Sequence, residues 1–228
     1  RGVAVLTEGH EALSDVDLVV TEGTCTVIMG PSGSGKSTLL KVTAGLMPPD
    51  RGTVTLRGED LGSLDERRLL AFRRTNGFVF QDGALWENTT IFDNLALPLR
   101  VHFPELGAER IRARVLELLG RGGLADSAAL RPAQLSGGER KIASFLRAAV
   151  TEPRVVFLDE PTLSIDHTMT ELITGMIRDL KARGCTILAV THDPRLASLI
   201  ADRLAVIDAG RLVADGPFDE VKRSGDPR

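Results

Sequence analysis

The chain has 228 residues, 43% of them hydrophobic and 26% charged, with a formal net charge of −3. That is ordinary globular composition with material for a large core, and it gives no general attraction to nucleic acid or anionic lipid. No stretch approaches the roughly 18 consecutive apolar residues of a membrane span, so any membrane role has to run through a partner.

The chain starts at Arg1 instead of Met and shows no signal-peptide pattern, so its natural ends are expected to lie outside this stretch. Ala12 to Val20 alternates in part, with Leu13, Val16, Leu18 and Val20 apolar, and Glu22-Gly23 turns into an apolar strand Cys25 to Met29. Gly30-Pro31-Ser32-Gly33-Ser34-Gly35-Lys36-Ser37-Thr38 follows and fits G-x-x-x-x-G-K-[ST] in a strand, loop, helix context. A glycine-rich loop wraps backbone N–H groups around phosphate oxygens, and the helix N-terminus behind it adds partial positive charge. Lys36 is placed to reach the outer phosphates and Ser37 to offer a hydroxyl to Mg²⁺. The helix from Ser37 to Ala44 stops at Gly45, and Pro48-Pro49-Asp50 makes a loop.

Thr53 to Leu56 reads as a strand turning at Gly58, Asp65 to Arg74 as a charged surface helix, and Gly77 to Phe80 as a buried strand closing on Gln81. From Asp82 to Glu152 helical runs replace β-like ones, with Ile111, Val115, Leu118 and Leu119 on one face, which predicts a helical insertion. Inside it, Leu135-Ser136-Gly137-Gly138-Glu139 opens a helix running from Arg140 to Val150. Ser136, Gly137 and Gly138 there form a second anion site with little steric cover, or a plain helix cap built on Ser136. With one anion site already in the chain, the second can serve the nucleotide of another copy, which predicts a head-to-tail dimer.

The β pattern returns at Val155 to Leu158, a run of the kind buried on both faces of a parallel sheet, and Asp159-Glu160 ends it. Two carboxylates at that edge suit Mg²⁺ at Asp159 and a polarised water at Glu160. A helix from Thr168 to Ala182, a strand Thr186 to Val190 and a hairpin-type pair, Leu204 to Ile207 with Leu212-Val213, complete a βαβ rhythm. His192, just past the strand, could contact the γ-phosphate, although a lone histidine is more often structural, and Gln81 could sense Mg²⁺ or the attacking water, although a polar residue closing a buried strand is a common event. Cys25 and Cys185 lie in strand-like runs and read as buried free thiols of a reducing compartment.

Gly30 to Thr38, Gln81, Leu135 to Glu139, Leu158 to Pro161 and His192 occur in the order and rough spacing of ATP-binding cassette (ABC) ATPases, and the resemblance spans nearly the whole chain. It implies an α/β P-loop NTPase with a RecA-like parallel-sheet core, an N-terminal antiparallel β-subdomain and an α-helical insertion. The chain is then one domain, 1–228, with a nucleotide-binding core at 1–81 and 154–228 and a helical subdomain at 82–153. The implied activity is hydrolysis of ATP with Mg²⁺ between two copies, coupled to a membrane permease, at the cytoplasmic face of the cell membrane. Implied roles are Lys36 on the γ-phosphate; Ser37, Gln81 and Asp159 at Mg²⁺; Glu160 as base; and His192 and Gln81 as γ-phosphate sensors. Ser136, Gly137, Gly138 and, from the Leu163-Ser164-Ile165-Asp166 stretch, Asp166 would act across the dimer.

Where the family often places an adenine-stacking aromatic, Val5-Leu6-Thr7-Glu8-Gly9-His10 has none, leaving Leu6 or His10 to cover the base. Glu139 stands where Gln is commoner, and Ile142 where Arg is frequent. Phe80 to Trp86, Ile91 to Arg100 and the terminal Gly225-Asp226-Pro227-Arg228 resemble the ATPases of Mla-type phospholipid transporters, which work with MCE-domain proteins. That implies a lipid substrate and a permease contact between Gln81 and Leu99, with Trp86 as anchor. The alternatives are a lipoprotein-release or amino-acid transporter ATPase and, against the charge balance, a cassette acting on nucleic acid.

Overall fold

Continuous apolar strands are stable only where helices or hairpins cover both faces of their sheet. The computed structural model describes residues 1–7 and 9–224 and meets that demand. In chain order the elements are β1 (Val3–Thr7), β2 (His10–Val16), β3 (Cys25–Met29), α1 (Lys36–Thr43), β4 (Thr55–Leu56), β5 (Glu59–Asp60), α2 (Glu66–Arg74) and β6 (Asn76–Val79). There follow α3 (Ile91–His102), α4 (Ala108–Arg121), α5 (Gly137–Ala149), β7 (Val155–Asp159), α6 (His167–Ala182), β8 (Thr186–Val190), α7 (Pro194–Ile200), β9 (Arg203–Asp208), β10 (Arg211–Pro217) and α8 (Phe218–Ser224).

The central sheet runs β10-β9-β3-β8-β7-β6. All neighbours in it are parallel except β10, which returns antiparallel along β9. Period-2 alternation divides each strand between two cores. On β8, Ile187 and Ala189 join Cys25, Val27, Leu158, Phe145, Ile173 and the helical insertion. Leu188 and Val190 face the other way, with Ile28, Phe157, Leu39, Leu40 and the β1–β2 hairpin. β1 and β2 pair antiparallel, as do β4 and β5, and Ala4 bridges to Arg51, so the expected N-terminal antiparallel portion is present as two small ladders.

Three readings shift. The strand expected over Thr53 to Leu56 shrinks to Thr55–Leu56 because Arg57 and Gly58 both take left-handed dihedrals and turn the chain at once. Leu18 and Val20 lie beyond β2. Helix α7 was hidden between two strand signals, although Asp193 accepting the Arg195 N–H before Pro194 is a helix start legible in the sequence. Glu8 and the Gly225 to Arg228 tail lie outside the described residues.

Candidate active site: a phosphate loop at the carboxyl edge of the sheet

In parallel sheets, ligands bind beyond the carboxyl ends of the strands. Four parallel strands here end in residues singled out from the sequence. β3 runs into Gly30–Thr38, β6 is followed by Gln81, β7 ends in Asp159-Glu160 and β8 is followed by Thr191-His192. The register pairs Asp159 with Val190, so the carboxylates and the histidine are brought level on adjacent strands.

The phosphate loop is clamped by the chain's own backbone. A Cβ on Gly30 would lie 1.9 Å from the Ile207 carbonyl oxygen of β9, and one on Gly35 would lie 2.4 Å from that of Ala12 in β2. Both glycines have positive φ, 147° and 100°. Gly33 also has positive φ, 78°, but a Cβ there would meet open space. The Gly210 N–H, in the β9–β10 turn, donates to the Ser34 carbonyl at 3.1 Å and closes the clamp. Two glycines thus let the loop fit its scaffold, and the third leaves its outer surface bare.

Inside this loop Lys36 is 5% exposed and its Nζ donates to the Pro31 carbonyl at 2.6 Å. Burial holds its pKa below the usual lysine range, while Glu160 and Asp159 pull it back up. Ser37 Oγ donates to Asp159 Oδ1 at 2.8 Å, which joins the hydroxyl and carboxylate expected at Mg²⁺. Asp159 and Glu160 are both buried. Glu160 has φ 46°, and its Oε1 is in hydrogen-bond contact with His192 Nδ1. The His192 N–H donates to Oε2 of the same carboxylate at 3.3 Å, so expected base and expected sensor form one unit.

Ser37, Asp159, Gln81, Asp82, Gly137, Arg140, Lys141 and the 163–165 loop line a single cleft of about 530 Å³. Ser136 and Asp166 carry local duties as well. Ser136 Oγ accepts the Glu139 N–H and Glu139 Oε2 accepts the Ser136 N–H, a capping box that gives Glu139 a structural reason to differ from Gln only in charge. These contacts hold the Glu139 carboxyl below the usual carboxylate range, the Ser136 hydroxyl foremost. Asp166 Oδ1 accepts the Met169 N–H as the N-cap of α6.

A family profile described as ABC transporter matches residues 13–163. The chain belongs to the ABC transporter family. Among curated relatives, the methionine import ATP-binding protein MetN 1 of Rhodococcus jostii is 41% identical over 214 residues, covering 93% of this chain and 63% of that protein. MetN of Caulobacter vibrioides is 41% identical over 217 residues, 93% of this chain and 64% of its own length. The cassette therefore spans less than two thirds of these relatives. Among solved structures, the ATP-binding cassette MJ0796, dimeric, post-hydrolysis and bound to ADP and Pi, matches with TM-score 0.89 at 32% identity, over 96% of this chain and 97% of that one. A nucleotide-free ATP-binding cassette from an ABC transporter matches at 0.83 and 26% identity, over 99% and 94%.

ATP with Mg²⁺ is the ligand of such a cassette, and the residues present fit it. The loop presents an open surface at Gly33, where a Cβ would meet nothing within 4 Å, with the buried Lys36 behind it, which is the bare backbone and cation that phosphate oxygens need. Hydroxyl and carboxylate oxygens are the hard donors Mg²⁺ prefers, completed by phosphate and water in place of an all-protein cage. Among the described residues no cluster of three or more His, Cys, Asp or Glu could hold a metal alone.

Sequence reasoning passed over two residues of α5. Lys141 is 8% exposed, and its Nζ donates to the Glu160 carbonyl at 2.8 Å. Burial lowers its pKa, with Glu160, Asp159 and Asp82 raising it in that order. Arg147 donates to the Ala84 and Gly83 carbonyls at 2.7 and 3.2 Å, pinning the turn after Gln81. The available signal was a lysine four residues before Phe145, on the apolar face of its helix.

Proposed function

We propose that this cassette hydrolyses ATP as a head-to-tail homodimer and drives a membrane permease that imports an amino acid of the methionine type. One observation carries the ATPase reading. Phosphate loop, Ser37–Asp159 pair and Glu160–His192 pair stand together at one sheet edge. Lys36 steadies the γ-phosphate and Ser37 and Asp159 hold Mg²⁺, with Gln81 able to join them from the same cleft. The bound cation supplies charge neutralisation at the phosphates. Glu160, aimed by His192, takes a proton from the attacking water. Ser136, Gly137, Gly138 and Asp166 meet the nucleotide of the second copy, in keeping with the dimeric state described for MJ0796.

No helix among the described residues is long and apolar enough to cross a membrane, so the permease must dock. A groove of about 320 Å³ between β6, α3 and α5, lined by Phe78, Phe80, Trp86, Leu97, Pro98 and His102, suits an inserted permease segment at the cytoplasmic face. Trp86 is 61% exposed beside it.

The amino-acid alternative is better supported than the phospholipid reading with MCE-domain partners, because the relatives at 41% identity are named for methionine import. Of the stretches that suggested lipid, Phe80 to Trp86, Ile91 to Arg100 and the terminal Gly225 to Arg228, the second is largely core over Asn94 to Leu99. Asn94, Leu95, Ala96 and Leu99 are buried, so most of this segment is fixed by the packing of α3, and only Leu97 and Pro98 face the groove. Deleting the gene and following uptake of labelled L-methionine and retention of labelled phospholipid separates the two. Loss of methionine uptake alone is expected; a defect confined to phospholipid would reverse the assignment.

A further inference from the structure

The apolar face of α5 contains a cation that packing does not require. Lys141 opens a stretch of α5, Lys141 to Leu146, that is buried all round, with Ser144 its one other polar residue and Phe145 and Ala148 its neighbours on the same face. An ammonium placed there loses its water and is tolerated only with dedicated partners. Its direct acceptor is the peptide carbonyl of Glu160, at 2.8 Å.

That peptide is unusual. Glu160 is a non-glycine residue with φ 46°, a left-handed conformation that persists only where its surroundings impose it. Its N–H donates to the Val190 carbonyl at 3.0 Å. Its carbonyl accepts from Lys141 and, at a longer 3.3 Å, from the Leu163 N–H. The same dihedral turns the Glu160 carboxylate onto His192. Lys141 therefore holds one side of the peptide whose twist decides where the carboxylate points. It lies one turn from the α5 N-terminus, where Ser136, Gly137 and Gly138 form the second anion site. A displacement of that N-terminus is carried along a rigid helix directly to the Glu160 carbonyl.

We propose that Lys141 is a positioning residue that ties the aim of Glu160 to the position of the α5 N-terminus, so that nucleotide phosphate held at Ser136–Gly138 readies the catalytic carboxylate of the same chain. This rests on the ATPase and dimer reading above. In the head-to-tail dimer the phosphate at Ser136–Gly138 belongs to one nucleotide and Glu160 serves the other, so Lys141 makes hydrolysis at each site respond to occupancy of its neighbour. The link lies within each chain, running from one nucleotide through α5 to the base acting on the other.

The test compares the unaltered chain with Lys141→Met and Lys141→Arg, measuring ATP turnover against ATP concentration together with thermal melting. Lys141→Met is expected to lower kcat by about tenfold to a hundredfold, as a misaimed base does, while half-saturating ATP stays within about twofold. Its turnover should become hyperbolic in ATP where the unaltered chain is sigmoidal. Lys141→Arg, which keeps a cation on the helix, should recover most of kcat and the sigmoidal response. Lys141→Met with unchanged kcat and unchanged cooperativity overturns the inference alone. So does a loss of melting temperature in both variants that tracks the loss of rate, because Lys141 would then serve only the fold. Absence of turnover by the unaltered chain with Mg²⁺-ATP overturns the functional reading, and this inference with it.

Discussion

A methyl group on Gly30 or Gly35 would strike a backbone carbonyl of β9 or β2, while one on Gly33 would meet open space. The three glycines of one motif therefore answer to different demands. Gly30→Ala and Gly35→Ala are expected to fail at folding, with melting temperatures far below the parent's. Gly33→Ala should lose only about 1–2 kcal/mol for its left-handed backbone, yet bind ATP more weakly. Thermal melts and nucleotide fluorescence titrations check this; equal melting of all three variants would refute the clamp. Glu160→Gln keeps an acceptor toward His192 but removes the base. Phosphate release should fall by about 10² to 10⁴ while ATP binding survives, and the ATP-bound dimer should accumulate on a sizing column. Normal turnover would remove Glu160 from its role.

At the scale of elements, α3 shows how one helix both builds and presents. Asn94 is completely buried. It accepts the Trp86 N–H at 2.8 Å and donates to the Trp86 carbonyl, Thr89 Oγ1 and the Thr90 carbonyl at 3.1, 2.9 and 3.0 Å. The loop that displays Trp86 is thereby fastened to the helix behind it. Asn94→Ala leaves those groups unpaired and should cost about 1–3 kcal/mol in urea unfolding, with permease binding weakened as well. Trp86→Ala should change stability by no more than about 0.5 kcal/mol and leave basal ATP turnover intact, while permease capture and permease-stimulated turnover fall. Undiminished capture would move the docking site elsewhere. Helix α5 has a comparable double duty, since its first turn carries the proposed second anion site and its fifth residue reaches Glu160.

Across the whole molecule, the two cores share the sheet, so nucleotide bound at its edge stabilises everything packed on it. Saturating Glu160→Gln with Mg²⁺-ATP at about a hundredfold over Kd should raise stability by about 2.7 kcal/mol. The cysteines provide a readout. Cys25 and Cys185 are free and buried, and burial pushes their pKa values up to about 12 and about 11. Near neutral pH both remain thiols, so a thiol reagent should reach them only through unfolding, and Mg²⁺-ATP should slow that reaction. Rapid labelling that ignores nucleotide would show that this part of the sheet opens independently.

Much of this was legible in the residues because it depends on local rules. Strand β8 and helix α6 follow hydrophobic period, the phosphate loop follows glycine and lysine spacing, and the stop at Gly45 follows a left-handed cap. Residues Asp159, Glu160, His192 and Gln81 were identifiable as strand-closing polar groups, a position that any parallel sheet turns toward ligand. What the sequence alone could not reveal depended on distant partners. Nothing near Gly30 announces Ile207, nothing near Lys141 announces the Glu160 carbonyl, and Asn94-Leu95-Ala96 looks like a subtype marker until its burial shows it to be core. Periodicity and capping are set by neighbours within a turn or two of chain. Which carbonyl a buried lysine meets is decided only when separate segments close on one another, and in this protein that closure joins α5 to the Glu160 peptide at the end of β7.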